Sequence, residues 1–460
     1  MTRRIIIMLL RLALRIFFRR IEVAGLERVP QRGAVVFVMN HPNALVDPVF
    51  LLCLAPRRVS FLAKSTLFKM PVLGYFVRAM EAIPVYRKQD EGEDTSKNRE
   101  TFRLAHSLLA RGGTIGICPE GVSHNEPSLR PLKSGAARIA LGAASTVADA
   151  QEQLEVRIVP AGLYYTSKTT FRSAALLYFG EPLAVEPAEP DADGEPPREA
   201  VRLLNARIER ALREVTLNAE HDEALATIAR AERIFSAEDE ETEKSAPSLE
   251  RELRLRRRFV EAYALLRARV PERIAALEAR IRTYEEELRQ AGFDDPRDLS
   301  TNTLSKYAAT RHLLARFLIF LLFAPVALCG TLLHYPAYRL AGFLSRKFSH
   351  NYDDMVSTIK IIAAILLFPL TWAALALVAC YLFNWWTALL IFVFAPLAGW
   401  VAQRFTEEFD RFVGGVRALA FFVTERRFFK QLLQERKAIR REILALAEEA
   451  TRAEAATHGL

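Results

Sequence analysis

The residues best suited to chemistry lie in one short stretch, residues 40–48, which contains His41 and Asp47. An apolar run at residues 34–39 precedes it and has the composition of a buried strand. A neutral imidazole can take the proton of an alcohol, and a carboxylate can hold the imidazole tautomer and stabilise the cation that forms. The pair is therefore a candidate general base. A turn in which Asn43 caps the following helix accounts for the same residues without a catalytic role.

Charged and small residues that could bind a substrate also lie at the ends of other predicted strands. These stretches are residues 81–87, 118–124, 132–135 and 158–162. A phosphate site needs a guanidinium fork and a point charge, which Arg87 and Lys133 can supply. In α/β folds the chemistry lies at the carboxyl ends of the strands. We therefore expect these stretches and His41 to form one site that binds a phosphate.

The elements that must position this site alternate between strands and helices over residues 20–217, which predicts an α/β domain. The predicted strands are residues 34–39, 59–63, 82–86, 114–118, 157–164 and 176–179. The predicted helices are residues 45–54, 98–111, 134–144 and 197–215.

Four of these stretches, in order and at suitable spacing, resemble the sequence blocks of the glycerophospholipid acyltransferase superfamily. They are residues 40–47, 74–87, 118–124 and 159–162. The resemblance implies an α/β acyltransferase domain at residues 21–217, with a mixed sheet flanked by helices. It implies that His41 is the general base on an acceptor hydroxyl and that Asp47 orients it. Acyl transfer from a thioester would then be direct, without an acyl-enzyme.

Eight residues are predicted to bind substrate. By the resemblance, Arg87, Glu120 and Gly121 bind the glycerol-phosphate acceptor, and Pro160 shapes the acyl-donor site. His124 is explained equally well as a solvated turn histidine. The whole predicted set is Asn43, Arg87, Glu120, Gly121, Ser123, His124, Lys133 and Pro160.

Two departures from the superfamily pattern indicate a branch. Five residues rather than four separate His41 from Asp47, which puts their pairing in question. The third block begins with Cys118 instead of phenylalanine and lacks the usual arginine. Both features, with a membrane region after the catalytic domain, resemble the glycerol-3-phosphate and dihydroxyacetone-phosphate acyltransferases. A lysophosphatidate acyltransferase and a membrane scaffold with an inactive domain are the alternatives.

Composition limits the partners of the chain. Its 460 residues favour two or more domains. A net charge of +9 suits an anionic partner, and because the basic residues stand beside long apolar segments, we expect membrane lipid rather than nucleic acid. Four cysteines without paired spacing indicate a reducing compartment, with no disulfide framework and no metal site. No cofactor is expected beyond acyl-CoA or acyl-carrier protein as the donor substrate.

Residues 1–20 predict an amphipathic helix. It fits a helix lying in the membrane interface, with its arginines toward lipid phosphates, or a helix that covers a core. The arginines that share one face are Arg4, Arg11, Arg15 and Arg19.

Residues 218–300 predict charged helices, and their apolar spacing predicts a short coiled-coil-like seam, which we expect in a helical hairpin on the catalytic domain. The seam residues are Ile274, Leu277, Ile281, Tyr284 and Leu288. The tail, residues 404–460, predicts a basic amphipathic helix that lies on lipid or packs on a membrane hairpin. The helical regions also offer surfaces for self-association.

Residues 301–403 predict a membrane region. Residues 361–383 and 385–402 are long and apolar enough to span about 30 Å of hydrocarbon as a hairpin. Residues 317–333 contain Pro325, and we expect them to be re-entrant or interfacial, since a third span would change the side of the catalytic domain. Basic residues on both flanks of the hairpin predict a cytoplasmic catalytic domain, on the bacterial inner membrane or, in a eukaryote, the endoplasmic reticulum.

Overall fold

The computed structural model describes residues 2–87, 90, 93–149, 155–242, 248–299, 306–349 and 353–458. The chain folds into two units. The first contains Met1–Asn218 and Leu344–Ile362, and the second contains Ala219–Phe343 and Ala363–Leu460. A short segment from late in the chain therefore belongs to the same unit as the predicted catalytic residues.

Among the described residues, the first unit contains one sheet of eight strands. The strands are β1 (Arg20–Ala24), β2 (Ala34–Met39), β3 (Ser60–Lys64), β4 (Ile83–Val85), β5 (Thr114–Ile117), β6 (Val156–Tyr165), β7 (Ala174–Phe179) and β8 (Leu183–Ala184). Their order is β1-β7-β6-β2-β5-β3-β4, with β8 beside β6. β6 is antiparallel to β7 and β8, and the other pairs are parallel. The predicted mixed sheet is confirmed.

Helices cover both faces of this sheet. They are α1 (Thr2–Phe17), α2 (Val46–Leu54), α3 (Ser65–Lys69), α4 (Pro71–Ala79), α5 (Asn98–Ala110), α6 (Gly135–Asp149) and α7 (Arg198–Val215). Phe37 of β2 packs in one core with Phe17 of α1 and Phe50 of α2. α5, α6 and α7 also contact β2. All six residues of β2 are buried, as expected for a strand covered on both faces.

Parallel pairing brings the candidate loops to one edge of the sheet. Val38 of β2 lies in register with Ile117 of β5 on one side and with Pro160 of β6 on the other. The loops that leave β2 and β5 therefore start next to each other, at the carboxyl ends of their strands. This is where His41 and residues 118–124 lie.

Every strand and helix predicted for this domain is present, but four elements were not predicted. β1 contains charged residues and pairs with β7 at the edge of the sheet, so it lacks the apolar run of a central strand. β8 has only two residues. α3 has only five residues and begins without a side-chain cap. α4 also lacks a side-chain cap, and its start is marked by Pro71 at the first position.

The helix α1 covers the core and also carries an exposed apolar stripe. Leu14 and Phe17 are buried in the core, while the stripe is exposed to solvent. Arg11 does not extend away from the protein, because its Nε donates to the carbonyl of Cys53 at 2.8 Å. The interpretation as a helix that covers a core describes part of α1, and its place in a membrane interface stays a prediction. The exposed stripe is Ile5, Met8, Leu9, Leu12 and Ile16.

The C-terminal half of the chain is helical within its described residues. Its helices are α8 (Asp222–Thr242), α9 (Leu249–Arg269), α10 (Pro271–Gln290), α11 (Lys306–Phe348), α12 (Asp353–Leu382), α13 (Trp385–Thr424) and α14 (Arg426–His458). All five predicted seam residues of α10 are buried. They pack in one core with residues of α14, and Arg280 of α10 pairs with Glu435 and Glu442 of α14. The seam's partner is therefore the tail helix, which the sequence assigned to lipid or to the membrane hairpin.

Within the described ranges, three helices have the length and composition to cross a membrane. The stretches are Phe317–Phe348, Asp354–Leu382 and Trp385–Thr424. The two predicted hairpin segments lie in α12 and α13. Residues 317–333 lie in α11, a helix that continues through Pro325 and Pro336.

Candidate active site

The structure brings the predicted general-base pair together. Nδ1 of His41 lies 2.9 Å from Oδ2 of Asp47, with His41 in the loop after β2 and Asp47 in the first turn of α2. The loop between them accommodates five residues by turning at Ala44, whose φ of 28° is unusual for a residue with a side chain. The longer spacing is therefore compatible with the pair.

Asp47 is completely buried and held by three groups. Its Oδ2 also accepts a hydrogen bond from the backbone N–H of Asn43 at 2.6 Å. Its Oδ1 accepts from the hydroxyl of Tyr165, at the end of β6, at 2.7 Å. Burial, together with the Asp47 carboxylate, raises the pKa of Tyr165 well above its usual value, so this hydroxyl keeps its proton. The carboxylate is fixed in one orientation toward His41.

The surroundings of His41 favour its cation. Burial by itself lowers the pKa of the imidazole, but the hydrogen bond and the charge of Asp47 oppose this effect, and the net pKa lies above its usual value. Burial raises the pKa of the Cys118 thiol, so the carboxylate is the negative charge beside the ring at neutral pH. A base arranged in this way holds strongly a proton that it has taken.

Glu120 lies beside the pair of His41 and Asp47, called the dyad below, but its carboxylate is turned into the protein. Its side chain is completely buried. Oε1 accepts from the backbone N–H of His41 at 2.9 Å, and Oε2 accepts from the backbone N–H of Arg130 at 2.9 Å. His124 Nε2 contacts the same Oε2. Glu120 and His124 thus tie the loop after β5 to the loop that carries His41, which differs from the expected open contact with an acceptor.

Arg87 links the second and third blocks. Its guanidinium pairs with both carboxylate oxygens of Asp90, at 3.0 and 3.1 Å. Its Nη1 donates to the carbonyl of Gly121 at 2.7 Å. Asp90 is itself buried, and despite that burial the hydrogen bonds from Arg87 and Lys64 lower the pKa of its carboxyl. The arginine is therefore held in place beside the third block.

Gly121 and Lys133 lie against each other. Gly121 has a φ of 75°, and a Cβ on it would lie 2.6 Å from Nζ of Lys133. The backbone N–H of Lys133 donates to the carbonyl of Pro119 at 2.8 Å, which folds the lysine back onto the loop. The lysine side chain is exposed, so a point charge stands at the edge of this loop. An anion site at Lys133 stays a prediction.

Ser123 contacts a part of the chain that the sequence did not connect to the site. Its hydroxyl donates to the carboxylate of Asp354, near the start of α12. Ser357 donates to a backbone carbonyl of the loop after β6, and Lys360 donates to the carbonyl of Thr169 at 2.7 Å. The first two turns of α12 are thus bound to the catalytic unit.

Two further predicted substrate-binding residues are buried, as Glu120 is. Asn43 has no exposed surface, and among the described residues neither polar atom of its side chain has a hydrogen-bond partner. It therefore does not cap α2 through its side chain, and its unpaired amide stands next to the dyad. Pro160 is buried within β6, where its carbonyl accepts from the N–H of Gly180 at 2.9 Å.

Sequence reasoning missed Tyr165 and Asp354. Tyr165 could have been found from strand alternation, because Ala161, Leu163 and Tyr165 face the same core as the residues of α2. Asp354 carries no such signal, since it lies in the predicted membrane region.

Comparison with known proteins agrees with this geometry. Residues 20–164 match the family described as Acyltransferase. Residues 239–451 match the Glycerol-3-phosphate acyltransferase 2 C-terminal domain. The chain thus carries an acyltransferase domain followed by a region that resembles the C-terminal domain of glycerol-3-phosphate acyltransferases.

Proteins similar to this chain include two yeast acyltransferases. It is 30% identical to Glycerol-3-phosphate O-acyltransferase 2 of Saccharomyces cerevisiae, over 59% of this chain and 37% of that protein. It is 29% identical to Glycerol-3-phosphate O-acyltransferase 1 of the same yeast, over 61% of this chain and 47% of that protein. The chain thus spans less than half the length of either relative. The solved 1-acyl-sn-glycerophosphate (LPA) acyltransferase PlsC of Thermotoga maritima is 19% identical, with a TM-score of 0.33 over 46% of this chain and 79% of that one.

Proposed function

We propose that this chain is an O-acyltransferase that moves a fatty acyl group from an acyl thioester to a hydroxyl of glycerol 3-phosphate or dihydroxyacetone phosphate. The observation that carries the proposal is the His41–Asp47 pair, 2.9 Å apart, beside loops that present Lys133 and Arg87. The match of the C-terminal half to a glycerol-3-phosphate acyltransferase domain favours this acceptor class. The product would enter phospholipid synthesis.

The mechanism needs one base and no covalent enzyme intermediate. His41 Nε2 takes the proton of the acceptor hydroxyl as its oxygen attacks the thioester carbonyl. The carbon–sulfur bond breaks, and the proton on His41 passes to the departing thiolate of coenzyme A or carrier protein. Asp47 stabilises the imidazolium between these two events. Cys118 is not required as a nucleophile.

The acceptor phosphate is bound, in this proposal, by the loop after β5. Lys133 supplies an exposed positive charge, and Ser123 supplies a hydroxyl. Arg87 lies behind Gly121 and fixes the loop through the glycine carbonyl. Glu120 positions the backbone of His41. Pro160 acts only through the sheet beneath the acyl-donor site.

The test is an acyl-transfer assay with purified protein. Labelled acyl-CoA is offered with glycerol 3-phosphate, dihydroxyacetone phosphate or lysophosphatidate in separate reactions. Turnover of either of the first two supports the proposal. Turnover of lysophosphatidate alone would make the chain a 1-acylglycerol-3-phosphate acyltransferase, and no turnover with any acceptor would favour a membrane scaffold.

Contacts within each unit support a membrane arrangement with the catalytic unit, α10 and α14 on one side. α14 returns onto α10, through Arg280 and Glu442 at 2.9 Å, so these two helices lie on one side of the membrane. No apolar helix separates α7 from α8. Chain continuity therefore keeps the catalytic unit on that side too. The number of crossings between α10 and α14 must then be even, although three helices are long and apolar enough to cross.

α11 is the helix that does not cross in this proposal. It starts after α10, and it ends just before the turns of α12 that bind the catalytic unit through Asp354. Its two ends therefore lie on the same side. Because α11 stays helical through Pro325 and Pro336, we infer that it lies in the membrane interface and does not turn back within the membrane. The remaining pair, α12 and α13, forms the hairpin.

The distribution of basic residues supports a catalytic unit at the cytoplasmic face. Arg346 and Lys347 precede the hairpin, and Arg426 and Arg427 follow it, which matches the excess of positive charge on cytoplasmic segments. The exposed apolar stripe of α1 and the exposed Val72 of α4 would then enter the lipid interface.

A further inference from the structure

We propose that Tyr165 is a positioning residue that sets the basicity of the His41–Asp47 pair. The inference rests on the proposed function, because it concerns the step in which His41 takes a proton. The proposal rests on one hydrogen bond, which the Tyr165 hydroxyl donates to Oδ1 of Asp47 at 2.7 Å. The other carboxylate oxygen contacts the His41 ring, so Tyr165 and His41 share one carboxylate.

The geometry fixes this bond. Tyr165 is 8% exposed, and its ring lies 5.7 Å from the ring of Phe18, stacked, and 5.7 Å from that of Phe50, edge to face. Asp47 is fully buried at the start of α2. With both partners packed, neither can rotate toward water, and the hydroxyl has no competing acceptor among its described contacts.

The other ionisable groups around the pair are few. Cys118 and Glu120 face it from the loop after β5. Glu120 is engaged by the backbone of His41 and by His124, and the Cys118 thiol is protonated at neutral pH because burial raises its pKa. Among the described residues, Asp47 is therefore the main negative charge that acts on the His41 ring. The hydrogen bond from Tyr165 weakens the attraction between that charge and the imidazolium.

A hydroxyl that donates to a carboxylate draws negative charge away from it. Removing the hydroxyl leaves Asp47 a stronger partner for the imidazolium, so His41 should lose its proton only at higher pH. In Tyr165→Phe we expect the acid limb of the kcat/KM profile to move up by about 0.5–1 pH unit. At pH values where His41 is mostly protonated, kcat/KM of the variant should be about three- to tenfold lower than that of the wild type.

The matched control is Tyr178→Phe. Tyr178 is also 8% exposed in a neighbouring strand, and its hydroxyl contacts Arg28 at 3.2 Å instead of the dyad. The substitution Tyr178→Phe removes a hydroxyl oxygen from a similarly buried tyrosine. We expect the acid limb of this variant to coincide with that of the wild type.

A second substitution works in the opposite direction. Replacement of Tyr165 by 3-fluorotyrosine keeps the ring and the hydroxyl but makes the hydroxyl a stronger donor. We expect the acid limb to move down, and this variant tests the proposal even if Tyr165→Phe does not fold. A readout independent of turnover is the pH dependence of diethylpyrocarbonate modification of His41, followed by mass spectrometry, which should shift in the same directions.

The outcomes separate two failures. If the wild type transfers no acyl group, the proposed function fails, while the modification of His41 still reports on Tyr165. If the wild type is active and both Tyr165 variants keep its acid limb, Tyr165 has only a packing role and this proposal is overturned. A shift of the two variants in the same direction overturns it as well.

Discussion

The hydroxyl of Ser123 donates a hydrogen bond to the carboxylate of Asp354, which lies 231 residues further along the chain. Ser123 belongs to the loop that we expect to bind the acceptor, and Asp354 belongs to the helix that begins the proposed hairpin. A serine hydroxyl has one proton to donate. An acceptor phosphate must therefore displace the carboxylate before Ser123 can donate to the phosphate.

This relationship predicts tighter acceptor binding in Asp354→Asn. The variant removes a negative charge that competes for Ser123 and repels phosphate. We expect the KM for glycerol 3-phosphate to fall by about fivefold, which corresponds to roughly 1 kcal/mol, with kcat almost unchanged. Ser357→Ala is the control, since it removes another contact of α12 without changing charge. An unchanged or higher KM in Asp354→Asn would reduce Asp354 to a structural tether.

The dyad predicts a large loss of turnover without loss of folding. A positioned general base contributes about 10²–10⁴-fold, so His41→Ala should lose that factor in kcat. Asp47→Asn should also lose activity, because the charge that stabilises the imidazolium is gone. Steady-state acyl transfer measures both, and thermal unfolding checks the fold. His221→Ala, at an exposed position, is the control. Wild-type-like turnover by His41→Ala would exclude His41 as the base.

The raised pKa of His41 predicts the pH dependence. A base must be neutral to accept a proton, so kcat/KM should rise with pH through an acid limb that lies above the usual histidine pKa. The contribution of His41 to the free energy of unfolding changes with pH in the opposite direction. Because the folded state binds this proton more tightly, its contribution is complete below the unfolded pKa and is lost as pH rises through the folded pKa. The difference in unfolding free energy between wild type and His41→Gln should therefore shrink as pH rises.

Gly162 of the fourth block is predicted to be a packing requirement. A Cβ at this position would lie 1.9 Å from the carbonyl oxygen of Val215, at the end of α7. Gly162→Ala should therefore destabilise the protein by about 2–3 kcal/mol, measured by thermal unfolding. Gly135→Ala is the control, since its Cβ would meet only Ile117 Cδ1, at 4.0 Å. Equal unfolding temperatures for the two variants would contradict this explanation.

The proposed topology predicts a labelling pattern. With the exposed cysteines 329 and 380 replaced by alanine, a membrane-impermeant maleimide should label Lys347→Cys and Gln434→Cys from the cytoplasmic side. It should label Asn384→Cys, at the tip of the hairpin, only from the other side. Labelling of all three from one side would rule out the hairpin. Labelling of Lys347→Cys and Gln434→Cys from opposite sides would mean an odd number of crossings after residue 347.

Local pattern was sufficient for the strands and for the chemistry that follows them. The apolar run before His41 and the residues after β5 predicted that the two loops meet, because parallel strands bring their carboxyl ends to one edge. The pairing of His41 with Asp47 was left open, since its geometry depends on the turn at Ala44. A positive φ at an alanine has no signature in the sequence.

Contacts between distant segments were beyond prediction. The internal role of Glu120 depends on hydrogen bonds to the backbone of His41 and Arg130, and backbone donors carry no residue-type signal. The amphipathic pattern of α14 showed that one face is apolar but not what covers that face. Its partner is α10, through Arg280 and the buried seam.

The contact between Ser123 and Asp354 also concerns the order in which the chain is made. All eight strands lie within the first 184 residues, so the ribosome completes the sheet long before it reaches α12. The acceptor loop acquires its last partner only when the leading turns of the hairpin arrive. A chain whose hairpin fails to insert would therefore have an assembled dyad but an unfinished acceptor loop, and membrane insertion would act as the final step of enzyme maturation.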